Sequence, residues 1–119
     1  MIAMEYIEGT TLHNFFKRDP AITTSIYEDL EKAITQVLHP RELVFADLRP
    51  PNILVVTRDG KHRAMLIDFD WCGKDGIDTY PSSMNMDQIT WPERVIPGVV
   101  LKKEDDKFML DKLKYSLNL

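Results

Sequence analysis

The sequence contains a single cysteine, Cys72, among its 119 residues. One cysteine excludes an internal disulfide and cannot form a metal site by itself, and it fits a protein that folds in a reducing compartment. The first residues lack the basic region followed by an apolar block that marks a secretory signal. We therefore expect an intracellular, cytoplasmic protein.

Long apolar runs and a surplus of positive charge are absent as well. No stretch approaches the roughly 18 consecutive apolar residues of a membrane-spanning helix, so we expect no membrane association. The formal net charge is −4, which argues against a nucleic-acid partner, because such proteins usually carry a basic surplus on one face. Even the basic pair Lys102 and Lys103 is followed directly by three acidic residues.

The overall composition is that of a folded domain with several helices. Apolar residues make up 44% of the chain and charged residues 29%, values typical of a soluble globular protein with one core. Asp19 followed by Pro20 predicts a helix start, because aspartate caps the end and proline suits the first helical position. Apolar residues then recur at helical spacing over residues 22–38. A shorter helix is predicted over residues 12–17 and a closing helix over residues 107–117.

Two short apolar runs, residues 53–56 and 63–67, flank a predicted tight turn. The dipeptide Asp59-Gly60 at its centre readily takes the positive φ angles that two-residue hairpin loops need. With the turn centred there, antiparallel pairing sets position 52 opposite about position 67. Asn52 and Asp68 are therefore expected side by side at the open end of the hairpin.

A third polar residue, Asp47, lies five positions before Asn52 in a loop that contains two prolines. Two carboxylates and one amide at one hairpin mouth make an oxygen-rich pocket, which suits Mg²⁺ bridging substrate phosphates. Taken singly, Asp47, Asn52 and Asp68 are more simply explained as turn residues, because Asp and Asn side chains bond to their own backbone in turns. Their convergence through the hairpin register favours a functional site.

Two motifs carry a resemblance to a known family. The run Asp-Leu-Arg-Pro-Pro-Asn-Ile-Leu-Val at residues 47–55 resembles the catalytic loop of the protein-kinase superfamily, in which four residues separate Asp and Asn. Leu-Ile-Asp-Phe-Asp at residues 66–70 resembles the Asp-Phe-Gly segment of that superfamily. With Tyr80-Pro81 and Trp91-Pro92, these motifs are similar to fungal-type kinase-like proteins in particular. The same loop is also similar to aminoglycoside and choline phosphotransferases, which share the fold.

The resemblance implies an α+β fold, namely a fragment of the large kinase lobe with helices and a small antiparallel β-hairpin that carries the metal ligands. It implies that Asp47 orients the hydroxyl acceptor and accepts its proton, while Asn52 and Asp68 hold Mg²⁺ on the phosphates of ATP. Arg49 matches a basic position that neutralises charge on the transferred phosphoryl group.

Over the whole chain, residues 1–119 would form one partial kinase-like domain. Residues 1–9 would be a strand and the hinge, where the backbone of Glu5, Tyr6 and Ile7 meets adenine. The remaining parts would be helices (10–39), the catalytic loop, hairpin and Asp-Phe-Asp segment (43–73), an irregular activation-type segment (74–104) and the start of a core helix (105–119). Asp106 would take the place of the aspartate that ties this core helix to the catalytic loop.

The sequence also departs from the family pattern. Phe45 and Ala46 stand where the family usually has His followed by Arg or Gly, so a side-chain hydrogen bond that helps to fix the loop is missing. Asp70 replaces the usual Gly. The 119 residues contain no glycine-rich phosphate loop, no strand lysine and no helix glutamate to pair with it. We therefore expect little or no phosphotransfer from this chain alone.

Three functional hypotheses follow. The first is an ATP-dependent phosphotransferase that acts on protein serine or threonine, and the second is a phosphotransferase of the same fold that acts on a small-molecule acceptor. The third is a non-catalytic, pseudokinase-like module that binds a partner through an exposed apolar patch around Ile2, Met4 and Tyr6, because half of a two-lobed protein uncovers buried surface.

Overall fold

The fold combines helices with antiparallel strands. The computed structural model describes residues 9–15 and 19–119. In order, the elements are β1 (Thr10–Thr11), α1 (Pro20–Lys32), β2 (Leu43–Val44), β3 (Ile53–Arg58), β4 (Lys61–Leu66), β5 (Gly73–Lys74) and α2 (Lys103–Ser116). The strands form one sheet of order β1-β3-β4 and a second, β2-β5. This mixture confirms the predicted α+β class. None of the helices in these two ranges is long and apolar enough to cross a membrane.

The first long helix begins where the sequence predicts. Asp19 caps it, since its Oδ1 accepts a hydrogen bond of 2.9 Å from the Ala21 amide, and Pro20 takes the first helical position. The helix continues past Lys32 as a π-helical stretch, Ala33–Leu38, followed by a 3₁₀ turn, His39–Arg41. Its apolar face is buried in the core through Ile26, Leu30 and Ile34.

The predicted helix over residues 12–17 is wrong in type and extent. The structure has a 3₁₀ turn, Leu12–Asn14, and an extended backbone at Phe15, while residues 16–18 lie outside the described part of the chain. Leu12 and Phe15 are both buried, so this short turn brings two apolar side chains to the core. A helix of so few residues gains too few hydrogen bonds to offset its nucleation.

The hairpin has the predicted turn and register. Asp59 and Gly60 take φ angles of 51° and 75°, and β3 pairs with β4 so that Ile53 lies opposite Leu66. The amide of Ile67 then donates to the Asn52 carbonyl at 2.9 Å, which places position 52 opposite position 67.

The hairpin is attached to α1 by one carboxylate. Asp29 on α1 accepts a hydrogen bond from the Ala64 amide at 3.0 Å, and its other oxygen lies 3.0 Å from the Arg63 guanidinium. Residue 64 is an interior position of β4, so α1 fixes the strand that leads to Asp68.

Between Phe69 and Leu101 the chain is mostly irregular, in agreement with the predicted long loop. An aromatic cluster of Trp71, Tyr80 and Trp91 holds this segment, with ring centroids 5.8–6.4 Å apart. Tyr80 and Trp91 are buried and Trp71 is partly buried, so the cluster contributes apolar area and favourable ring geometry to a segment with little regular backbone pairing.

The closing helix α2 begins four residues before the predicted position 107. Asp105 closes its first turn, because Oδ2 accepts a hydrogen bond from the Lys102 amide at 3.2 Å. The first turn also carries three negative side chains, Glu104, Asp105 and Asp106. Their charge interacts favourably with the partial positive charge of the free amides at the helix N-terminus. The helix therefore begins before residue 107 because these acidic side chains stabilise its first turn.

A first prediction concerns Tyr80, which is 2% exposed. Burial raises the pKa of Tyr80. The negative charge of Asp105, whose Oδ2 accepts a hydrogen bond of 3.1 Å from the Tyr80 hydroxyl, raises this pKa further. Above the ordinary tyrosine pKa of 10.0 the unfolded chain releases this proton while the folded chain keeps it. The free energy of unfolding must therefore fall as the pH rises through that range.

We expect Tyr80→Phe to reduce that slope, measured by urea denaturation between about pH 8 and about pH 11. Part of the slope should remain, because burial also raises the pKa of Tyr27. At neutral pH the variant should lose about 1 kcal/mol, the contribution of one hydrogen bond. Tyr115→Phe is the control, since Tyr115 is 85% exposed. An alkaline slope that Tyr80→Phe leaves unchanged would contradict the prediction.

Candidate active site

The loop that carries Asp47 is held by a buried carboxylate from α2. Asp106 is 0% exposed, and its two oxygens accept hydrogen bonds from the amides of Phe45 at 2.8 Å and Ala46 at 2.9 Å. His39 Nε2 lies 3.0 Å from the same carboxylate. Asp106 therefore ties α2 to the loop, as expected from the sequence.

This anchoring coincides with backbone strain directly before Asp47. Ala46 has a φ of 72°, a left-handed conformation that costs a residue with a side chain about 1–2 kcal/mol. The hydrogen bond from its amide to Asp106 offsets part of that cost. Phe45 is fully buried and packs edge-on against Phe69, with centroids 5.1 Å apart. The apolar ring thus connects the loop to the segment that carries Asp68.

Asp47 is paired with Arg49 within the loop. Arg49 Nε donates to Asp47 Oδ1 at 2.5 Å, and Asp47 is only 6% exposed. The guanidinium carbon of Arg49 also lies 5.9 Å from the centroid of a Trp91 ring. Both contacts restrain Arg49, since a charged hydrogen bond and a cation–π contact are each favourable.

Asn52 closes the loop on the other side. Its side-chain Nδ2 donates a hydrogen bond to the Asp47 carbonyl at 2.9 Å, and its backbone N–H donates one to the Arg49 carbonyl at 2.9 Å. The 3₁₀ turn Pro50–Asn52 supports this closure, because proline pre-sets the backbone angle. Asn52 is 7% exposed, so its orientation is fixed by the fold.

Asp68 lies at the mouth of the hairpin next to Asn52. It directly follows Ile67, which pairs with Asn52, and its backbone is left-handed at a φ of 63°. The side chain is exposed, and its Oδ1 accepts a bond of 3.3 Å from the Asp70 amide. Hydrogen bonding thus joins Asp47 to Asn52, and the hairpin register brings Asp68 beside Asn52.

The side chains at this mouth are compatible with a hard cation. Nδ2 of Asn52 is engaged by the Asp47 carbonyl, which leaves Oδ1 as its free ligand atom, and the exposed Asp68 carboxylate supplies a second oxygen group. Across residues 9–15 and 19–119 no three His, Cys, Asp or Glu side chains group as a metal site. One amide and one carboxylate match Mg²⁺, which usually keeps several waters and binds substrate phosphates. The metal-binding roles of Asn52 and Asp68 stay predictions.

Two residues near the loop were not predicted as part of the site. His39 contributes to the Asp106 cluster, which no local sequence signal could show because 67 positions separate the pair. Trp91 contacts Arg49. The sequence pointed to Trp91 only as part of the Trp-Pro dipeptide of the family resemblance. The predicted adenine contacts at Glu5, Tyr6 and Ile7 lie outside the described residues, as does the patch at Ile2 and Met4.

Cys72 is close enough to this cluster for its acidity to change. Burial raises the pKa of the Cys72 thiol, and the negative charge of Asp106 raises it further. A thiol that stays protonated at neutral pH is a poor nucleophile. Cys72 is therefore poorly suited to act as a nucleophile.

A second prediction tests the anchoring by Asp106. Asp106→Ala should lower the free energy of unfolding by about 3–5 kcal/mol, because two buried amides and a histidine lose their acceptor. If that variant does not fold, Asp106→Asn gives a measurable value, since an amide oxygen can still accept one of the bonds. The control is Asp111→Ala, at an exposed position of α2, which should change stability by less than about 0.5 kcal/mol. Wild-type stability of Asp106→Ala in urea denaturation would contradict the anchoring.

Comparison with known proteins gives partial similarity to protein kinases. No protein-family model matches the chain. It is 35% identical over 106 residues to a probable serine/threonine-protein kinase of Dictyostelium discoideum, an alignment that covers 82% of this chain and 20% of that protein. It is 32% identical over 71 residues to the serine/threonine-protein kinase PknA of Nostoc sp., covering 57% of this chain and 12% of that protein. The chain thus spans a fifth or less of the length of these relatives, and the similarity supports a kinase-like relationship.

Proposed function

We propose that this chain carries the catalytic-loop part of an ATP-dependent phosphotransferase of kinase-like fold that acts on serine or threonine hydroxyls of proteins. The observation that carries the proposal is the closed loop in which Asn52 bonds to the Asp47 carbonyl while the hairpin sets Asp68 beside Asn52. The partial similarity to two serine/threonine kinases supports the same assignment.

Asp47 is suited to orient an acceptor hydroxyl. Its Oδ1 is taken by Arg49, and no described residue donates a hydrogen bond to its Oδ2. Oδ2 would therefore accept the hydroxyl proton, while the Asp106 bonds and the Asn52 bond keep the loop from moving. Phosphoryl transfer asks little covalent chemistry of the protein, so positioning of this kind supplies much of the catalysis.

Charge neutralisation is the second requirement of the reaction. Arg49 carries a permanent positive charge next to Asp47, at a position from which it can face a transferred phosphoryl group. Oδ1 of Asn52 and the carboxylate of Asp68 would hold Mg²⁺, which supplies charge neutralisation on the nucleotide phosphates when bound. The exposed Asp68 would reach the nucleotide, and the buried Asn52 would fix the other ligand position.

A third prediction tests nucleotide binding by calorimetric titration with ATP, with and without Mg²⁺. Asp68→Asn should weaken the magnesium-dependent binding at least about tenfold, the lower bound for residues that merely orient metal ligands. Asparagine tolerates the left-handed backbone at position 68, so this variant removes charge without adding strain. The control is Asp87→Asn in the exposed loop. Magnesium-independent binding, or no binding by the folded chain, would contradict the metal site.

A fourth prediction separates binding from transfer, using labelled ATP at high protein concentration. Since the sequence has no glycine-rich phosphate loop, we expect slow transfer to serine/threonine peptides. Asp47→Asn should keep ATP binding and slow the transfer by about 10²-fold or more, as for loss of a general base. Transfer that persists in this variant would contradict the role of Asp47. Phosphorylation of choline or an aminoglycoside alone would assign the small-molecule alternative.

A further inference from the structure

Two contacts hold the guanidinium group of Arg49 and leave part of it free. Its Nε donates a hydrogen bond to Asp47 Oδ1 at 2.5 Å. Its central carbon lies 5.9 Å from the centroid of a Trp91 ring, within the roughly 6 Å over which a ring face attracts a cation. No residue in the described ranges accepts a hydrogen bond from Nη1 or Nη2, and the side chain is partly exposed. The two terminal nitrogens are thus free to bind a ligand.

Trp91 is itself held firmly in the irregular segment. Its indole N–H donates a hydrogen bond of 2.8 Å to the Asn85 carbonyl. Its ring stacks on Trp71 with centroids 5.8 Å apart and meets Tyr80 edge-on at 6.2 Å. Trp91 is buried among these partners. The position of its ring is therefore fixed by the fold of the segment.

Packing of the segment alone does not require a cation against this ring. The contact with Arg49 leads out of the aromatic cluster to the loop that carries Asp47. A free arginine side chain has many rotamers, and most of them must be lost when the guanidinium group binds a reacting group. A side chain that is restrained beforehand avoids that loss during the reaction.

We propose that Trp91 is a positioning residue for phosphoryl transfer, an inference that rests on the proposed function. Trp91 restrains the plane of the guanidinium group and Asp47 restrains Nε. Nη1 and Nη2 then offer two parallel donors to oxygens of the transferred phosphoryl group. In that reaction the acceptor oxygen bonds to the terminal phosphorus of ATP, the bond from this phosphorus to the ADP oxygen breaks, and the hydroxyl proton goes to Asp47. Arg49 neutralises the charge on the phosphoryl group during this step.

The test is a double-mutant cycle between positions 91 and 49, measured as kcat for the Asp47-dependent transfer from labelled ATP to serine/threonine peptides. Trp91→Leu should lower kcat about tenfold and change the KM for ATP less than about twofold, because the contact acts on the transferred group. In an Arg49→Lys background the same substitution should lower kcat no more than about twofold, since an ammonium group has no plane to stack on the ring. Trp91→Phe keeps a ring face and should stay within about threefold of the wild-type kcat.

A purely structural role gives a different result. Trp91→Leu would then lower kcat by the same factor in both backgrounds, which would overturn the inference. The matched control is Val95→Ala, at a buried position of the same segment, which should show that equal loss in the two backgrounds. If the wild-type chain gives no Asp47-dependent transfer, the proposed function fails and the inference falls with it. If the wild type transfers and Trp91→Leu retains its kcat, only the inference fails.

A second measurement needs no variant at position 91, in case Trp91→Leu does not fold. The heteronuclear NOE of the Arg49 Nε–H group, measured by NMR in the wild-type chain, should match the values of the backbone amides in the same loop. A markedly lower value would show a mobile side chain and would also overturn the inference.

Discussion

The carboxylate of Asp106 joins parts of the chain that are sixty residues apart in sequence. It accepts two backbone amides of the loop that precedes Asp47, it pairs with His39 beyond α1, and it belongs to the first turn of α2. A fully buried carboxylate is costly unless its oxygens are satisfied, and here three donors satisfy them. The position of the loop that carries Asp47 relative to both helices therefore depends on this one side chain.

The remaining parts of the candidate site follow from that anchor. With the amide of Ala46 fixed in a left-handed conformation, the next residues form a closed loop through the bond from Asn52 to the Asp47 carbonyl. The hairpin then returns the chain, and Phe69 packs against Phe45 beside the anchor. Asp68 is thus restrained from both sides, by the strand pairing before it and by the ring contact after it. The site thus combines local backbone geometry with side-chain contacts from distant parts of the chain.

Sequence reasoning succeeded where a short pattern determines local geometry. Asp19 before Pro20 determines a helix start, and the Asp59-Gly60 turn determines which residue of β3 faces which residue of β4. That register was sufficient to place Asn52 beside Asp68. It placed the start of the closing helix four residues late, at residue 107, because the acidic side chains that follow Lys103 stabilise the helix N-terminus and allow an earlier start. It also failed at β1, because Thr10 and Thr11 form a strand only by pairing with Val55 and Leu54, far along the chain.

The tertiary partners of buried polar groups were beyond prediction for a physical reason. Asp106 was expected to contact the loop only through a resemblance. Its pairing with His39 has no local signal, and neither do the bonds from Tyr80 and Arg94 to Asp105 Oδ2. Such contacts depend on how helices and loops pack, and spacing along the chain does not encode them. The cavity lined by Pro92, Glu93, Arg94 and the first residues of α2 likewise forms only when the Pro92–Arg94 region meets that helix.

The most direct measurement is native-state hydrogen exchange at the amides of Phe45 and Ala46, followed by NMR. If the Asp106 carboxylate holds the loop that carries Asp47, both amides will exchange only when the whole domain unfolds, as slowly as the buried amides of α2 at Met109 and Leu110. If instead they exchange as quickly as amides of the exposed loop around Gly98, the loop is not anchored and the central claim of a preorganised site is contradicted.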